Sequence, residues 1–346
     1  MKAALRHVYG SPDDIELGQI DKPTPGDEQL LIRVHAVSLN LSDVECLTGS
    51  PAYARIFGLF KPRFPVLGTD VVGTVEAVGR KVTKFQPGDQ VMGDMAGFGG
   101  ALAEYTCAPE KTLIYKPASM GFELASTLPQ AGCIALQAIR DRGRVQAGQK
   151  VLINGAGGGS GTLAIQLAKH FGAEVTGVDN GHKLDVMRSV GADHVVDYTR
   201  EDFTRRGQRY DLILDLVAHR SIFDHARVLA PGGTYFLVGG AMVRLFQSLI
   251  VGPLLSLGSK KMGVLGVTPN RGLSEMVELC QAGTVVPVID EVFALSEAAD
   301  ALRYVMEGRA RGKVVVRVLA EGLSLLPPDQ SAGRTICRRP GSPVRK

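Results

Sequence analysis

The chain has 346 residues, of which 45% are hydrophobic and 21% charged, a composition typical of a globular protein with two domains. Its net charge of +4 is partly an end effect, because the last thirteen residues contain five basic residues and no acid. The remainder is close to neutral, and aromatic residues make up only 6% of the chain. A nucleic-acid groove is therefore not expected.

The cysteines and the chain start indicate the cellular compartment. The five cysteines are odd in number and form no CxxC pair, so a disulfide framework is not expected. The start, MKAALRHVYG, has no apolar signal core, which predicts a cytoplasmic location. Residues 245–257 are strongly apolar but too short to span a bilayer, and we expect a buried or interface element there and no membrane contact.

The first third of the chain has the pattern of β structure. Short apolar or alternating runs at residues 30–37, 71–78, 90–92 and 101–107 predict strands separated by Pro and Gly. Around Phe122 the apolar spacing becomes helical, and it continues so through residues 124–128 and 133–139.

Residues 150–179 predict a strand, a glycine turn, a helix and a second strand. Residues 151–153 form a short apolar run typical of a buried parallel strand, and residues 155–161 then contain five glycines. Apolar residues at helical spacing follow from Thr162, and Gly172 marks the helix end before a strand at residues 174–178. The segment is one βαβ unit.

The glycine turn predicts a dinucleotide-binding site. A backbone without Cβ atoms lets a diphosphate approach, and the helix start offers unpaired N–H groups. Asp179 follows Gly161 by eighteen residues, which suits a ribose-binding acid. The alternative is a purely structural turn, which the preceding strand, the following helix and the acid at position 179 disfavour. The predicted binding residues of the turn are Gly155, Ala156, Gly158, Gly159, Ser160 and Gly161.

Strands and helices alternate from residue 151 to residue 281, which predicts a parallel sheet with helices on both faces. After Pro287 the pattern predicts a short strand, a helix near residues 296–307 and a last strand at residues 313–318. Residues 320–346 are rich in Pro, Ser, Gly and Arg, a composition typical of a disordered tail.

Several segments carry a family resemblance, namely FPVLGTDVVGTVEAVGRKVTKFQPGDQVMG, GGALAEYTCAPE, LPQAGCIALQAI, the glycine turn and VGADHVVDYTREDF. Over residues 1 to about 318 the chain resembles the medium-chain dehydrogenase/reductase superfamily. It is most similar to the zinc-independent quinone-oxidoreductase branch, which includes relatives of the reticulon-interacting mitochondrial oxidoreductase.

The resemblance implies an α/β fold with a GroES-like β domain and a Rossmann doubly wound parallel sheet. The GroES-like domain would contain residues 1–122 and 288–319, with the Rossmann domain, residues 123–287, inserted between them. It also implies a homodimer through the edges of the Rossmann sheets. The active site would lie in the interdomain cleft, where a nicotinamide meets a small carbonyl, enone or quinone.

The resemblance also bears on a metal site. Zinc members of the superfamily place a cysteine before a Ser/Thr–Asp pair and a His–Glu pair after a glycine. Here the corresponding residues are Asn40 before Ser42 and Asp43, and Thr69 with Asp70. The thiolate and the imidazole are missing, so the sequence predicts no zinc.

Two side chains are candidates for catalysis. Asn40 matches the asparagine that faces the substrate in quinone-reductase relatives, where its amide could hold a carbonyl oxygen; the alternative is an Asn that only stabilises a turn. Tyr53, in the loop of residues 50–64, is a second possible donor, and an ordinary half-buried Tyr is the alternative. Asp43 could orient backbone or cofactor groups, or only cap a helix.

The residues around Asp179 give opposing indications about the cofactor. A carboxylate at that position favours NAD, because it repels a 2′-phosphate. Lys183 and Tyr198, however, match positions that contact this phosphate in quinone-reductase relatives, the alternative being a solvated Lys and a surface Tyr. The resemblance favours NADP(H) slightly over NAD(H). Gly239 and Gly240 are expected beside the nicotinamide ribose.

The sequence therefore predicts a zinc-independent NAD(P)H-dependent oxidoreductase that transfers a hydride to a quinone, enone or related small carbonyl. Two alternatives remain open. One is a metal-free NAD(P)-dependent alcohol dehydrogenase, and the other is a cofactor-binding scaffold or regulatory protein with little turnover. The intact glycine turn and first domain favour the enzyme.

Overall fold

A computed structural model describes residues 1–56, 58–96 and 99–319. The predicted disordered tail, residues 320–346, lies outside the described residues. In chain order the strands are β1 (Lys2–Leu5), β2 (Glu16–Gln19), β3 (Gln29–Leu39), β4 (Asp70–Val78), β5 (Gln90–Asp94), β6 (Tyr105–Pro109), β7 (Ile114–Tyr115), β8 (Lys150–Asn154), β9 (Glu174–Asp179), β10 (His194–Asp197), β11 (Tyr210–Asp215), β12 (Leu229–Leu237), β13 (Lys261–Val264), β14 (Ile289–Ala294) and β15 (Lys313–Arg317). The α-helices are α1 (Leu41–Thr48), α2 (Phe122–Ser126), α3 (Pro129–Leu136), α4 (Gly159–His170), α5 (Leu184–Ser189), α6 (Ile222–Val228), α7 (Met242–Phe246), α8 (Gly252–Leu255), α9 (Leu273–Gln281) and α10 (Ala298–Met306).

The amino-terminal sheet has the strand order β14-β15-β3-β4-β5-β7, and β6 also pairs with β3. The last strand, β15, runs antiparallel to β3 and places Val314 opposite Leu39. The end of the described chain thus returns to the sheet built by its first part. The domain boundaries themselves stay predictions.

The second sheet is parallel, with the order β10-β9-β8-β11-β12-β13. Its central strands are buried on both faces, which explains why residues 151–153 form an unbroken apolar run. Within this sheet the chain passes from the central strand β8 outward to β9 and β10, and then crosses back to β11 on the other side of β8. The order of the strands therefore reverses between β8 and β11. In doubly wound sheets, ligands bind in the crevice at such a point. The predicted α/β fold class is confirmed.

Several predicted boundaries differ from the observed ones, and two of these differences have a clear local cause. Helix α4 begins at Gly159, before the apolar spacing that starts at Thr162, because its first residues are small and lack apolar side chains. Strand β6 begins at Tyr105 instead of Ala101, since Ala103 forms only an isolated bridge with Ala3.

The apolar segment of residues 245–257 is helical and lies beside the edge strand β13. Its side chains at Phe246, Leu249, Ile250 and Leu254 are exposed. The prediction that these side chains are buried within the chain is therefore wrong. The prediction that they form part of an interface stays a prediction. Within the described ranges, every helix is too short or too polar to cross a bilayer.

Candidate active site

A cleft of about 300 Å³ separates the glycine turn after β8 from β15, the end of β3 and the start of α1. It lies at the switch point of the parallel sheet, which is where a dinucleotide is expected. Its lining includes most of the predicted site residues, namely Asn40, Gly155, Gly158, Gly159, Ser160, Gly161, Asp179, Lys183 and Gly239.

The glycine turn has little room for side chains. A Cβ on Gly161 would lie 2.3 Å from the carbonyl oxygen of Gly155, and Gly155 itself has φ +86°. Helix α4 follows with Gly158 as its N-cap, so its first backbone N–H groups face the cleft end of the turn. Ala156 is fully buried and lies behind the turn, where its backbone N–H donates to the carbonyl of Val178.

Asp179 and Lys183 lie under the same turn. One carboxylate oxygen of Asp179, Oδ2, accepts from the backbone N–H of Gly157 at 2.9 Å, and the other accepts from the N–H of Asn180. The Nζ of Lys183 lies 3.7 Å from Oδ1 of Asp179, and both side chains are nearly buried. Asp179, the predicted ribose-binding acid, therefore also supports the glycine turn, and the ammonium group of Lys183 lies beside its carboxylate.

The remaining predicted cofactor residues lie around this pair. The backbone N–H of Tyr198 donates to the carbonyl oxygen of Asp179 at 3.1 Å, while the Tyr198 side chain is exposed. Gly239 and Gly240 have φ values of +64° and +98°, and a Cβ on Gly240 would lie 2.4 Å from the Cβ of Ala218. Only glycine fits this turn without strain.

Asn40 lies at the N-terminus of α1 and is 9% exposed. Its backbone N–H donates to Asp43 Oδ2 at 2.8 Å, so Asp43 caps the helix. Its side chain bonds elsewhere: Nδ2 donates to Asp70 Oδ2 at 2.8 Å, and Oδ1 accepts from Lys313 Nζ at 2.6 Å. The amide is therefore held between an anion and a cation.

Sequence reasoning missed Lys313. It is separated from Asn40 by 273 positions, so no local spacing links the two. The available signal was a lysine at the start of a buried valine run, since a charge at such a position needs a partner.

Burial dominates the electrostatics of this cluster. It raises the pKa of Asp43 to about 7, even though the bond from Asn40 opposes the shift. It also lowers the pKa of Lys313 from its ordinary value, against the effect of Asp70 and the other carboxylates. Asp70 accepts from Ser38 Oγ and from the backbone N–H of Gln130 in addition to Asn40.

Tyr53 joins the two sides of the cleft. Its hydroxyl donates to Glu45 Oε1 at 2.8 Å and accepts from the backbone N–H of Gly240 at 3.3 Å. Burial, followed by the bond to Glu45, raises the pKa of the phenol. The hydroxyl hydrogen is directed to Glu45, and the predicted role of Tyr53 as a donor to substrate stays a prediction.

Models of two known families match the chain. The alcohol dehydrogenase GroES-like domain matches residues 26–118, and the zinc-binding dehydrogenase family matches residues 190–316. The 2-methylene-furan-3-one reductase of Solanum lycopersicum is 33% identical over 332 residues, covering 91% of this chain and 79% of that protein. The mitochondrial NAD(P)H oxidoreductase RTN4IP1 of Mus musculus is 32% identical, covering 84% and 82%. The structure of the quinone oxidoreductase from Coxiella burnetii has a TM-score of 0.83 and 31% identity, covering 92% and 99%.

The chain belongs to the medium-chain dehydrogenase/reductase superfamily. The predicted family, its GroES-like and Rossmann units and the prediction of an enzyme are confirmed. The protein is an NAD(P)H-dependent oxidoreductase of that superfamily.

The residues of this oxidoreductase do not fit the zinc ion that one matched family name implies. Among the described residues, no group of three or more His, Cys, Asp or Glu side chains could hold a metal ion. At the positions that correspond to zinc ligands, Asn40 has an amide and Thr69 a hydroxyl, and the Asp70 carboxylate already accepts from Ser38 and Asn40. The ammonium of Lys313 lies 3.8 Å from Asp70 and supplies positive charge there. Amide and hydroxyl donors beside a fixed ammonium make a poor zinc site.

The cleft does fit the nicotinamide dinucleotide that this superfamily uses. Gly155, Gly158 and Gly159 line it without side chains, and the start of α4 offers N–H groups to a diphosphate. Asp179 and Lys183 lie where the adenosine ribose is held in such sheets, and Gly239 lies at the end of the fifth parallel strand. These residues would hold the cofactor.

Proposed function

We propose that this oxidoreductase transfers a hydride from NAD(P)H to a quinone, an enone or a related small carbonyl, without a metal ion. The observation that carries the proposal is the Asn40 amide, which lies in the wall of the cofactor cleft and is held by Asp70 and Lys313. Relatives named as a furanone reductase and a quinone oxidoreductase support the substrate class.

The chemistry of these acceptors suits an amide donor. When bound, the nicotinamide supplies the hydride. Addition of a hydride to a conjugated carbonyl compound moves negative charge onto the carbonyl oxygen. The second Nδ2 hydrogen of Asn40 is free to bond to that oxygen, and solvent can supply the final proton. The chain would thus orient the acceptor, exclude water and stabilise the oxyanion.

An acceptor panel tests this function. Purified protein would be incubated with NADPH or NADH and either 9,10-phenanthrenequinone, an alkenal or no acceptor, and cofactor oxidation would be followed at 340 nm. We expect acceptor-dependent oxidation that a metal chelator does not reduce. Tight cofactor binding with no oxidation across the panel would favour the scaffold alternative, and stoichiometric zinc with chelator-sensitive activity would contradict the metal-free site. Faster oxidation of simple alcohols with NADP would favour the dehydrogenase alternative.

We further infer a slight preference for NADP(H) over NAD(H). Asp179 alone would repel a 2′-phosphate, but its two oxygens already accept from backbone N–H groups and Lys183 offsets its charge. The exposed Tyr198 lies next to this pair through its backbone. Both features support a site that tolerates the extra phosphate.

We also propose a homodimer formed through the edge of the parallel sheet. Strand β13 is the last strand of that sheet, and the exposed apolar side chains of residues 242–257 lie next to it. Light scattering would measure the mass, and Ile250→Asp should shift a dimer toward monomer. The matched control is Ile56→Asp, which changes an exposed isoleucine elsewhere. A wild-type monomer would contradict the proposal.

A cytoplasmic or similarly reducing compartment is proposed as well. Cys46, Cys107, Cys133 and Cys280 are unpaired, which suits a compartment that keeps thiols reduced. Cell fractionation of a tagged protein would test this location.

A further inference from the structure

Lys313 begins β15 with its ammonium group enclosed at the wall of the cleft. Its side chain is 2% exposed and lies 3.8 Å from the Asp70 carboxylate. Nζ donates to Asn40 Oδ1 at 2.6 Å and to the backbone carbonyl of Leu39 at 3.0 Å. Three acceptors thus surround a nitrogen that carries three hydrogens when protonated, which favours the ammonium over the neutral amine.

The opposite side of the Asn40 amide is closed by Asp70. This carboxylate is fully buried and accepts from Ser38 Oγ at 2.9 Å, from Asn40 Nδ2 at 2.8 Å and from the backbone N–H of Gln130 at 3.0 Å. Hydrogen bonds of this kind favour the ionised carboxylate, against the cost of burial. Asn40 is therefore bonded to a cation on one side and an anion on the other.

These two partners fix the orientation of the amide. An ammonium can only donate and an ionised carboxylate can only accept, so Oδ1 must face Lys313 and Nδ2 must face Asp70. Asp70 takes one of the two Nδ2 hydrogens. The other is left for a ligand in the cleft that Asn40 lines. With an apolar residue at position 313, Oδ1 would lose its donor, and only Asp70 would still oppose rotation of the amide into its other orientation.

We propose that Lys313 is a positioning residue, which holds the Asn40 amide so that its second Nδ2 hydrogen meets the carbonyl oxygen of the acceptor. The inference rests on the proposed function, because it assigns a role within that reaction. Lys313 acts through Asn40 and needs no contact of its own with the acceptor.

The stem of the same side chain packs on the cofactor turn. A Cβ on Gly159 would lie 2.5 Å from Lys313 Cδ, and Gly158 forms a parallel bridge with Gly312. The residue that orients the acceptor-binding amide is thus in contact with the first turn of α4. Because Gly159 has no side chain, it leaves just enough space for the aliphatic part of the Lys313 side chain. This contact fixes the position of that side chain relative to the dinucleotide site.

A double-mutant cycle tests the proposal. Asn40→Ala, Lys313→Met and the double variant would be compared in the NADPH-dependent reduction of 9,10-phenanthrenequinone. We expect Asn40→Ala to lower kcat about 100- to 1000-fold, as loss of an oxyanion donor does, and Lys313→Met, which leaves the donor present but not held, to lower it about tenfold or more. Because Lys313 works through Asn40, the double variant should fall no further than the worse single variant. The NADPH Kd, measured by fluorescence without acceptor, should stay within about threefold of wild type.

Lys116→Met is the matched control. Lys116 is also a buried lysine, and its ammonium donates to the carbonyl oxygens of Pro117 and Met120, away from the cleft. It should retain the wild-type kcat. A Lys313→Met variant as active as wild type, or losses that multiply in the double variant, would overturn the inference.

Lys313→Met leaves the Asp70 carboxylate without its cation, which can prevent folding. The pair K313M/D70N removes both charges, and comparison with D70N alone isolates the ammonium. We expect the pair to lie about tenfold below D70N in kcat; equal values would overturn the inference. A wild-type protein that binds NADPH but reduces no acceptor overturns the proposed function and the inference together. An active wild type with an unaffected Lys313→Met overturns the inference alone.

Discussion

Lys183 and Asp179 form a nearly buried ion pair four positions apart in the sequence, with 3.7 Å between Nζ and Oδ1. The same carboxylate accepts from the backbone N–H of Gly157, so it connects the second parallel strand to the glycine turn. A Cβ on Gly157 would lie 2.6 Å from the Cβ of Lys183. The pair therefore supports the glycine turn and, in the proposed site, would form the charge environment of the adenosine ribose.

This arrangement predicts the effect of Lys183→Ala on cofactor choice. Without the ammonium, the Asp179 carboxylate is uncompensated beside the ribose and repels a 2′-phosphate. We expect the preference for NADPH over NADH to fall about tenfold, which corresponds to about 1.4 kcal/mol. The ratio of the two dissociation constants, measured by fluorescence titration, checks this. Lys150→Ala is the control, because Lys150 is more exposed and pairs with Glu174 at the start of β8. An equal loss for both cofactors would show that Lys183 only stabilises the turn.

Two glycines of the turn should respond differently to alanine. A Cβ on Gly161 would lie 2.3 Å from the Gly155 carbonyl oxygen, so Gly161→Ala must displace the backbone and should lower the melting temperature and cofactor affinity together. The nearest atom to a Cβ on Gly158 is 3.6 Å away, so Gly158→Ala fits the protein. It should keep the melting temperature and weaken the cofactor about tenfold or more by occupying the space of the diphosphate.

Calorimetry and cofactor titration of both variants would separate these effects. Gly258→Ala is the control, because a Cβ there has open space around it and the residue lies away from the cleft, between α8 and β13. A Gly158→Ala variant with the wild-type cofactor affinity would refute the placement of the diphosphate against this turn.

Local sequence patterns correctly predicted the strands, turns and helices that are determined by residues close together in the sequence. The apolar run of residues 151–153, the following glycines and the acid at position 179 all lie within one βαβ unit, and the structure has this unit as predicted. Apolar content alone could not decide how residues 245–257 are covered. Buried side chains and an exposed apolar face have the same composition, and here several side chains are exposed.

The candidate site depends on contacts between distant parts of the chain, which spacing cannot show. The resemblance identifies Asn40, but its partner Lys313 lies near the other end of the described chain. The sequence offers Tyr53 as a possible donor, but its bond from the backbone N–H of Gly240 depends on how the two sides of the cleft meet. Antiparallel pairing of β15 with β3 brings the first two together, and only the fold determines that pairing.

Tyr53→Phe would test whether the phenol contacts the acceptor. Its hydroxyl hydrogen is directed to Glu45, so we expect kcat to stay within about threefold of wild type. Loss of the bond from the Gly240 N–H should lower the free energy of unfolding by about 1 kcal/mol. Steady-state kinetics and denaturant unfolding would measure both quantities. A kcat reduced by a hundredfold or more would instead assign Tyr53 the donor role.

The proximity of Asp70 and Asp94 predicts that the substitution Asp94→Asn stabilises the folded protein by an amount that depends on pH. The two acids lie opposite each other on β4 and β5, and both are buried. Burial, followed by the charge of Asp70, raises the pKa of Asp94 to about 7. Because this pKa exceeds that of the unfolded chain, ionisation of Asp94 costs stability as the pH rises from about 4 to above 7. Asp94→Asn removes this cost and keeps an oxygen for the Ala96 N–H.

The melting temperature of Asp94→Asn relative to wild type should therefore increase between pH 5 and pH 8 and level off above that range. Thermal unfolding at several pH values would measure the difference. Asp185→Asn is the control, since the Asp185 side chain is 98% exposed and should give a difference close to zero throughout. A difference for Asp94→Asn that does not change with pH would mean that the Asp94 carboxyl titrates at the same pH in the folded and unfolded chains, and that its neighbours on β4 leave its ionisation unaffected.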